Sequence, residues 1–342
     1  MSETLLKTFV HISDLHIGEI DSKTGDAALG PITQFLMRNN VPFLDGLLGH
    51  SGAALEDLKA FMIGLTEKNG NKPNLIVTGD LTRLGAPKEF PNALNYIANE
   101  IVLRHRAKPT GLELGQLPQH FICGNHDHWG GVVPPLFGAS SFFAETGLCL
   151  PYVQLPLSVG GKDITFIGIN SDADVHPLHL HYTSAIGDFR SQLACVDRYL
   201  GYAKIRANET RILLIHHSYG HGGKSLRMGT KSKRELEAFL ETHQISAILT
   251  GHTHRPRLIA HTTPSGYQFW ELRCGSTTQL DNIPPSWTTA LGNPTQLNLP
   301  QNTLLVHRIV LKANDIWWKT QLYYRGAQGF DAGLALPCFP LR

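Results

Sequence analysis

The chain has 342 residues, 42% of them hydrophobic and 17% charged, the balance of an ordinary packed globule and not of a disordered chain. Lysine and arginine number 30 against 28 acidic residues, and the net charge of +2 with histidine neutral is too small to argue for a nucleic-acid surface. No segment approaches the roughly 18 uninterrupted apolar residues that span a bilayer, and no basic leader precedes a long apolar stretch at the N-terminus, so a soluble, cytoplasmic protein with no membrane partner is expected.

Apolar, β-rich runs recur along the chain, and many stop at a polar cluster. The first is 8–12. The connection after it is long, and 18–52 is read as a lid or insertion, with Phe35, Phe43 and Leu44 packing against the body. Leu55, Leu58, Met62 and Leu65 then share one face of a helix over 53–67, closed by Asn69-Gly70. Strands are predicted over 74–78 and 120–123, and Leu75-Ile76-Val77 is continuously apolar, as in a strand covered on both faces. Further strands are predicted over 164–169, 211–215, 246–250 and 267–273. Leu193, Val196 and Leu200 mark a helix over 191–202, and Ser232 with Glu235 forms a capping-box pattern ahead of the stripe Leu236, Phe239 and Leu240. Strands over 303–310 and 316–324 make 276–342 a strand-rich C-terminal part of the same domain. Two more long loops stand out: 172–190, with His176, His179 and His181, and 276–301, rich in Pro, Thr and Asn. The first is read as solvent-facing rather than as a further metal site. Strands alternating with helices, then strands alone, argue for two packed sheets with helices outside: an α/β fold, a four-layer αββα sandwich.

Five motifs end probable strands with side chains that ligate metals: Asp14-Leu15-His16, Gly79-Asp80, Gly124-Asn125-His126-Asp127, His216-His217 and Gly251-His252-Thr253-His254. They combine hard oxygen donors with borderline nitrogen donors and no thiolate, which suits Mn, Fe, Zn or Co rather than a structural cysteine-type zinc site. On an extended backbone residues i and i+2 point to one face, so Asp14 and His16 can both reach one ion, and His252 and His254 repeat that geometry. The Asp80 carboxylate has two oxygens and can bridge two cations, while Asn125 offers a neutral carbonyl oxygen. Gly79 and Gly124 permit a tight turn and close approach of backbone to the site. His216 and His217 face opposite ways on a strand, and periodicity does not choose between them. A site drawing on both Asp14 and His254 makes 1–342 a single domain. Each motif alone is weak: Asp-x-His can be a turn, Gly-Asp is a common loop dipeptide, and His-x-His can be surface decoration. All five follow apolar runs, and that context carries the reading. The five cysteines, Cys123, Cys149, Cys195, Cys274 and Cys338, are odd in number with no C-x-x-C pair and read as free thiols in a reducing compartment.

In order and spacing these motifs resemble the calcineurin-like metallophosphoesterases over most of residues 8–280. The resemblance implies the same αββα architecture and a dinuclear centre of two divalent or mixed-valence transition-metal ions. Asp14, His16, Asp80 and His254 would bind one; Asp80, Asn125, His216 and His252 the other. It selects His216 over His217. It places the catalytic residue His126 on the leaving-group side, as general acid or donor to a phosphoryl oxygen, with attack by a metal-bridging hydroxide. Asp127 is expected to organise its turn or orient a histidine, His128 and Trp129 to line the pocket, and Tyr219, His221 and Lys224 to belong to a lid. One departure is Arg83, where many family phosphatases carry an aspartate that orients the catalytic histidine. Arg83 is read as a phosphate binder or a solvated loop residue. Gly79-Asp80-Leu81-Thr82, Gly251-His252-Thr253-His254 and Gly275-Ser276-Thr277 look most like the cyclic-nucleotide and glycerophosphodiester branch, so a small phosphodiester substrate is expected. Alternatives are a phosphomonoesterase on the same centre, a nuclease, for which no basic run speaks, and a non-catalytic scaffold, for which eroded ligand positions would be expected.

Overall fold

A computed structural model describes residues 3–20, 26–28, 49–102, 109–131, 140–175, 185–202, 205–222, 226–279 and 302–341. Phe35, Phe43 and Leu44 with most of the 18–52 connection, the His176, His179 and His181 group, Lys224, most of 276–301 and the Cys338 side chain lie outside the described residues.

The first sheet is built around β1 (Thr4–Ile12), β2 (Asn74–Thr78) and β3 (His120–Ile122), which run parallel. Antiparallel β11 (Thr303–Lys312), β12 (Asp315–Gly326) and β13 (Gly329–Pro340) extend it, in the order β13-β12-β11-β1-β2-β3. In the second sheet β6 (Lys162–Gly168), β7 (Glu209–Leu214), β8 (Ile245–Thr250) and β10 (Gln268–Arg273) are parallel neighbours. Short antiparallel β4 (Tyr152–Val153) and β5 (Leu157–Val159) pair with β6, and β9 (Arg257–Thr262) pairs with β10.

Period-two alternation assigns each face. Val10 and Ile12 of β1 join α1 (Gly52–Asn69) and α2 (Phe90–Ala98) in one apolar cluster, while Phe9 joins Phe166, Leu214 and Leu249 between the sheets. On the far side Leu193 and Val196 of α4 (Arg190–Tyr202) and Leu236 and Leu240 of α5 (Thr230–Thr242) cover the second sheet. The short α3 (Phe142–Thr146) sets Phe142 against the first cluster. The result is the four-layer αββα sandwich.

Local chemistry explains the helix ends. Ser51 caps α1 by accepting the Ala54 N–H (3.4 Å), and Gly70 ends it in a left-handed conformation (φ 71°). The capping-box reading of Ser232 is corrected: Gly229 precedes the first turn of α5, and the Ser232 hydroxyl donates to Asp188 Oδ1 (2.5 Å) instead. Two helices, α2 and α3, and four strands, β4, β5, β9 and β13, were not anticipated. The apolar stripe of α2 is only nine residues long, though Pro91 in its first turn is a start signal. β13 carries Pro337 and Pro340, which a central strand excludes and an edge strand accommodates.

A polar chain lies buried between the sheets. Trp318 Nε1–H, a donor only, faces both Thr320 Oγ1 (3.2 Å) and His307 Nδ1 (3.3 Å), and that hydroxyl lies 2.9 Å from the same imidazole nitrogen. His307 Nε2 is hydrogen-bonded to His11 Nδ1 (3.3 Å), and His11 Nε2 to Thr78 Oγ1 (2.8 Å). The two facing ring nitrogens can share only one proton, so protonating both rings would bring two N–H groups head to head. Burial pushes His11 down to about 3 and His307 well below the usual histidine range.

Candidate metal centre

The strand ends that carry the five motifs are laced together. The Asp14 N–H donates to Gly79 O (3.0 Å), the His16 N–H to Asp80 O (3.0 Å), and the Gly251 N–H to His216 O (3.0 Å). The sequence Gly275-Ser276-Thr277 has a visible task here: Ser276 Oγ donates to Asp14 O (2.7 Å), and the Thr277 N–H to Ser13 O (3.0 Å).

The backbone at these motifs differs from expectation. Asp14 (φ 52°), His16 (φ 49°), Asp80 (φ 50°), His252 (φ 72°) and His254 (φ 53°) are all left-handed. The Asp-x-His and His-x-His pairs therefore do not converge as an extended backbone would make them. Each lies beyond its strand, where left-handed residues two apart turn both side chains inward. Such a conformation costs a non-glycine residue on the order of 1 kcal/mol, which the surrounding packing must offset.

Two groups of donor atoms result. In the first, His254 Nε2 is 3.3 Å from Asp14 Oδ1 and 3.0 Å from His16 Nε2. In the second, His216 Nε2 is 3.2 Å from each of Asn125 Oδ1, His252 Nδ1 and Asp80 Oδ2. Asp80 Oδ2 is also 4.0 Å from His16 Nε2, so one carboxylate oxygen stands between the groups. Its partner Oδ1 is occupied by the His126 N–H (2.8 Å).

These atoms suit metal ions. Ligands about 2.0–2.2 Å from one first-row ion lie about 3.0–3.4 Å apart when adjacent and up to about 4.4 Å when opposite; His216 Nε2 and His254 Nε2 keep the shorter spacing to their neighbours, and His16 Nε2 stands 3.9 Å from Asp14 Oδ1 and 4.0 Å from Asp80 Oδ2. Ring orientation agrees: His216 Nδ1–H donates to Thr78 O (2.7 Å) and His252 Nε2–H to Ala185 O (3.2 Å), which turns the other nitrogen of each toward the centre. Among the described residues, buried His16 Nδ1 has no hydrogen-bond partner. Burial raises the Asp80 carboxyl, but the His216 and His126 imidazoles outweigh it and hold the group well below the carboxylate range. Burial likewise lowers His216, and the Asp80 carboxylate reverses this and pushes it up to about 10. Without a cation, a proton on Nε2 takes its place.

His126 sits at the edge of the centre, 6% exposed, with Nδ1–H donating to Arg83 O (2.7 Å). The residue that replaces the expected aspartate thus orients His126 through its main chain. The reading of the Arg83 side chain as a solvated loop residue is overturned. It is 5% exposed; Nη1 donates to Ala28 O (2.6 Å) and Nε lies 3.5 Å from Glu89 Oε1, so it ties the inner end of the 18–52 connection to α2.

The neighbours divide into supports. Asp127 accepts from the N–H groups of Leu81 (3.2 Å), Thr82 (2.8 Å) and Gly124 (3.0 Å) and from Thr82 Oγ1 (2.9 Å), organising the turn as expected. Burial and the Asp80 charge push it up to about 7 against those donors. His217 offers neither nitrogen to the donor groups, accepting from Ser171 Oγ (2.8 Å) and donating to Ala185 O (3.1 Å), and its ring packs against His252 at 4.0 Å between centroids. His128 turns to Cys123 Sγ (3.2 Å) and Ser140 Oγ (2.7 Å), and Trp129 stacks on His126. Tyr219 is buried, its hydroxyl donating to Glu237 Oε1 (2.9 Å), which does not fit a lid. Glu271 went unforeseen: mid-strand on β10 and fully buried, it accepts from Ser218 Oγ (2.6 Å) and the Tyr219 and Gly220 N–H groups (3.1 and 3.0 Å), holding the turn after His217. Nothing in its strand context marks it beyond an acid in an apolar run.

An αββα sandwich with paired donor groups at its strand ends defines a metallophosphoesterase fold. A family model described as calcineurin-like phosphoesterase matches residues 7–256, and the chain belongs to that family of metal-dependent phosphoesterases. No curated protein matches the chain. Among solved structures it is similar to GAP50, the anchor in the inner membrane complex of Plasmodium, at 12% identity over 99% of this chain and 89% of that one, with a TM-score of 0.51. It is also similar to a dimetal phosphatase from Danio rerio at 14% identity over 96% and 99%, with a TM-score of 0.49.

Proposed function

We propose that the chain hydrolyses a small phosphodiester with the aid of two divalent or mixed-valence transition-metal ions, Mn, Fe, Zn or Co. The observation that carries this is the position of Asp80 Oδ2 between two groups of donors, each at ligand spacing. In this reading Asp14, His16, Asp80 and His254 hold one ion, and Asp80, Asn125, His216 and His252 the other. Bound there, the ions supply Lewis acidity at the phosphoryl oxygens and bring the pKa of water toward neutrality.

The protein groups supply orientation and proton transfer. The Thr78 and Ala185 carbonyls fix the faces that His216 and His252 present. With Nδ1–H held by the Arg83 carbonyl, His126 keeps Nε2 for the substrate and can carry a proton there to the leaving oxygen. One observation favours another role: a His126 nitrogen lies in a group with His16 and Asp80, all within 4.8 Å of one another. His126→Ala separates the two. As a proton donor it should slow turnover roughly 10²–10⁴-fold with metal content kept; metal loss equal to that of His252→Ala would make it a ligand.

The diester preference rests on the resemblance of the Gly79–Thr82, Gly251–His254 and Gly275–Thr277 motifs. A metal-reconstituted screen tests it with bis-p-nitrophenyl phosphate, p-nitrophenyl phosphate, cyclic nucleotides, glycerophosphodiesters and single-stranded DNA. Faster turnover of the monoester would overturn the diester preference, and salt-sensitive cleavage of DNA would overturn the small-molecule reading. Activity in the cytoplasm, away from membranes, is part of the proposal. The described cysteines Cys123, Cys149, Cys195 and Cys274 are free thiols, and no helix among the described residues is long and apolar enough to cross a membrane. Analysis of the purified protein for two metals per chain tests it against a scaffold.

A further inference from the structure

We infer that Trp129 is a positioning residue that holds the His126 imidazole in line with the leaving group; this rests on the proton-donor role of His126 proposed above. The local backbone dictates the contact. A single 3₁₀ turn spans His126–His128, and the Trp129 N–H donates to His126 O (3.2 Å). Residues i and i+3 eclipse in such a turn, which delivers the indole directly over the imidazole. The ring centroids are 3.8 Å apart with an interplanar angle of 25°. On another side the His16 ring meets the same imidazole edge-on, at 4.6 Å and 76°.

A hydrogen bond in the ring plane, a stacked face and an edge contact together fix the orientation of His126. Burial adds a second reason to assign the role to Trp129. His126 is 6% exposed while Trp129 is half-buried, so the indole forms a wall between imidazole and solvent. The other residues of the turn are engaged elsewhere, Asp127 with the backbone of Leu81, Thr82 and Gly124, and His128 with Cys123 and Ser140. Gly130 (φ 63°) and Gly131 (φ 82°) then turn the chain back, and the Gly131 N–H donates to Leu84 O (2.7 Å). The loop that offers the Arg83 carbonyl to Nδ1 therefore also anchors the turn that carries the indole.

The step affected is proton delivery. As the bond from phosphorus to the attacking water oxygen forms and the bond to the leaving oxygen breaks, Nε2 passes its proton to the leaving oxygen, and the proton lost by the water restores it. A good leaving group departs without that proton and a poor one does not. Displacing the imidazole should therefore penalise poor leaving groups selectively.

The test is turnover of aryl phosphodiesters from p-nitrophenyl to phenyl by wild type, Trp129→Leu, Trp129→Phe and His126→Ala, each checked for equal metal content. Trp129→Leu should slow the phenyl ester about 10-fold more than the p-nitrophenyl ester, the scale of a small misplacement of a catalytic group, and Trp129→Phe should restore most of the loss. In the metal-free wild type, the His126 ring protons should show an upfield ring-current shift that Trp129→Leu abolishes. A steep leaving-group dependence in His126→Ala beside a wild-type dependence in Trp129→Leu would overturn the inference alone. A wild-type dependence in His126→Ala would overturn the proton-donor role and this inference with it. Absence of the upfield shift in the wild type would overturn the stacking itself.

Discussion

Replacing His11 by glutamine should flatten the acid side of the stability curve. His11 is fully buried between the sheets, and burial pushes it from 6.5 down to about 3. The folded protein therefore keeps the ring neutral, whereas the unfolded chain takes up a proton as the pH falls through 6.5. Stability is complete above that value and is lost progressively toward pH 3. At about 1.4 kcal/mol per pH unit, the loss from this one group is roughly 2 kcal/mol at pH 5. Glutamine offers both a donor and an acceptor to Thr78 Oγ1 and His307 Nε2 but does not titrate. Urea unfolding midpoints at pH 7.5 and pH 5.0, both with chelator present, provide the assay. Other buried histidines destabilise both proteins in acid, so the difference is what counts: the wild type should lose ~2 kcal/mol more than His11→Gln between the two pH values. Equal losses would show that the ring is not held neutral by its surroundings.

Asp80→Ala removes a donor from both groups at once and should abolish turnover and most bound metal; wild-type turnover in that variant would contradict a shared carboxylate. At Gly124 a Cβ would fall on Asp80 Oδ1, 2.5 Å from Asp80 N and 2.7 Å from His216 Cε1. Gly124→Ala should therefore cost about 1–3 kcal/mol in folding and weaken metal binding; an unchanged melting temperature and metal content would refute it. Because the Asp80 carboxylate pushes His216 up to about 10, loading the centre at pH 8 should release about one proton from Nε2. Calorimetry of metal binding in buffers of different ionisation enthalpy measures it, and no buffer dependence would exclude a proton held there.

Much of the fold was legible because its signals are local. Near-continuous apolar runs such as Leu75-Ile76-Val77 marked buried strands, and the stripe Leu55, Leu58, Met62 and Leu65 marked α1. The donor residues were legible for a related reason: polar side chains clustered at the end of an apolar run need a purpose. How those side chains converge was not legible. The extended backbone assumed for Asp14 and His16 is left-handed, because a turn immediately after a strand answers to the hydrogen bonds available at that place, here to Gly79 O and Asp80 O. Arg83 was misjudged because a sequence displays side chains, and the group that meets His126 is a carbonyl.

The residue pattern by itself determined the layers, the strands that bear the donor residues, and the kinds of atom they bring. Those properties follow from hydrophobic periodicity and side-chain chemistry, which act over a few neighbouring residues. Only the tertiary structure decided which ring nitrogen faces the centre, that Arg83 and Glu271 act as buried supports, and that His11 and His307 meet in one hydrogen-bonded chain. Each of these depends on a partner far along the chain, brought near only when the two sheets close on each other. Hydrogen-bond direction is settled there, by which donors and acceptors are left once that interface is dry.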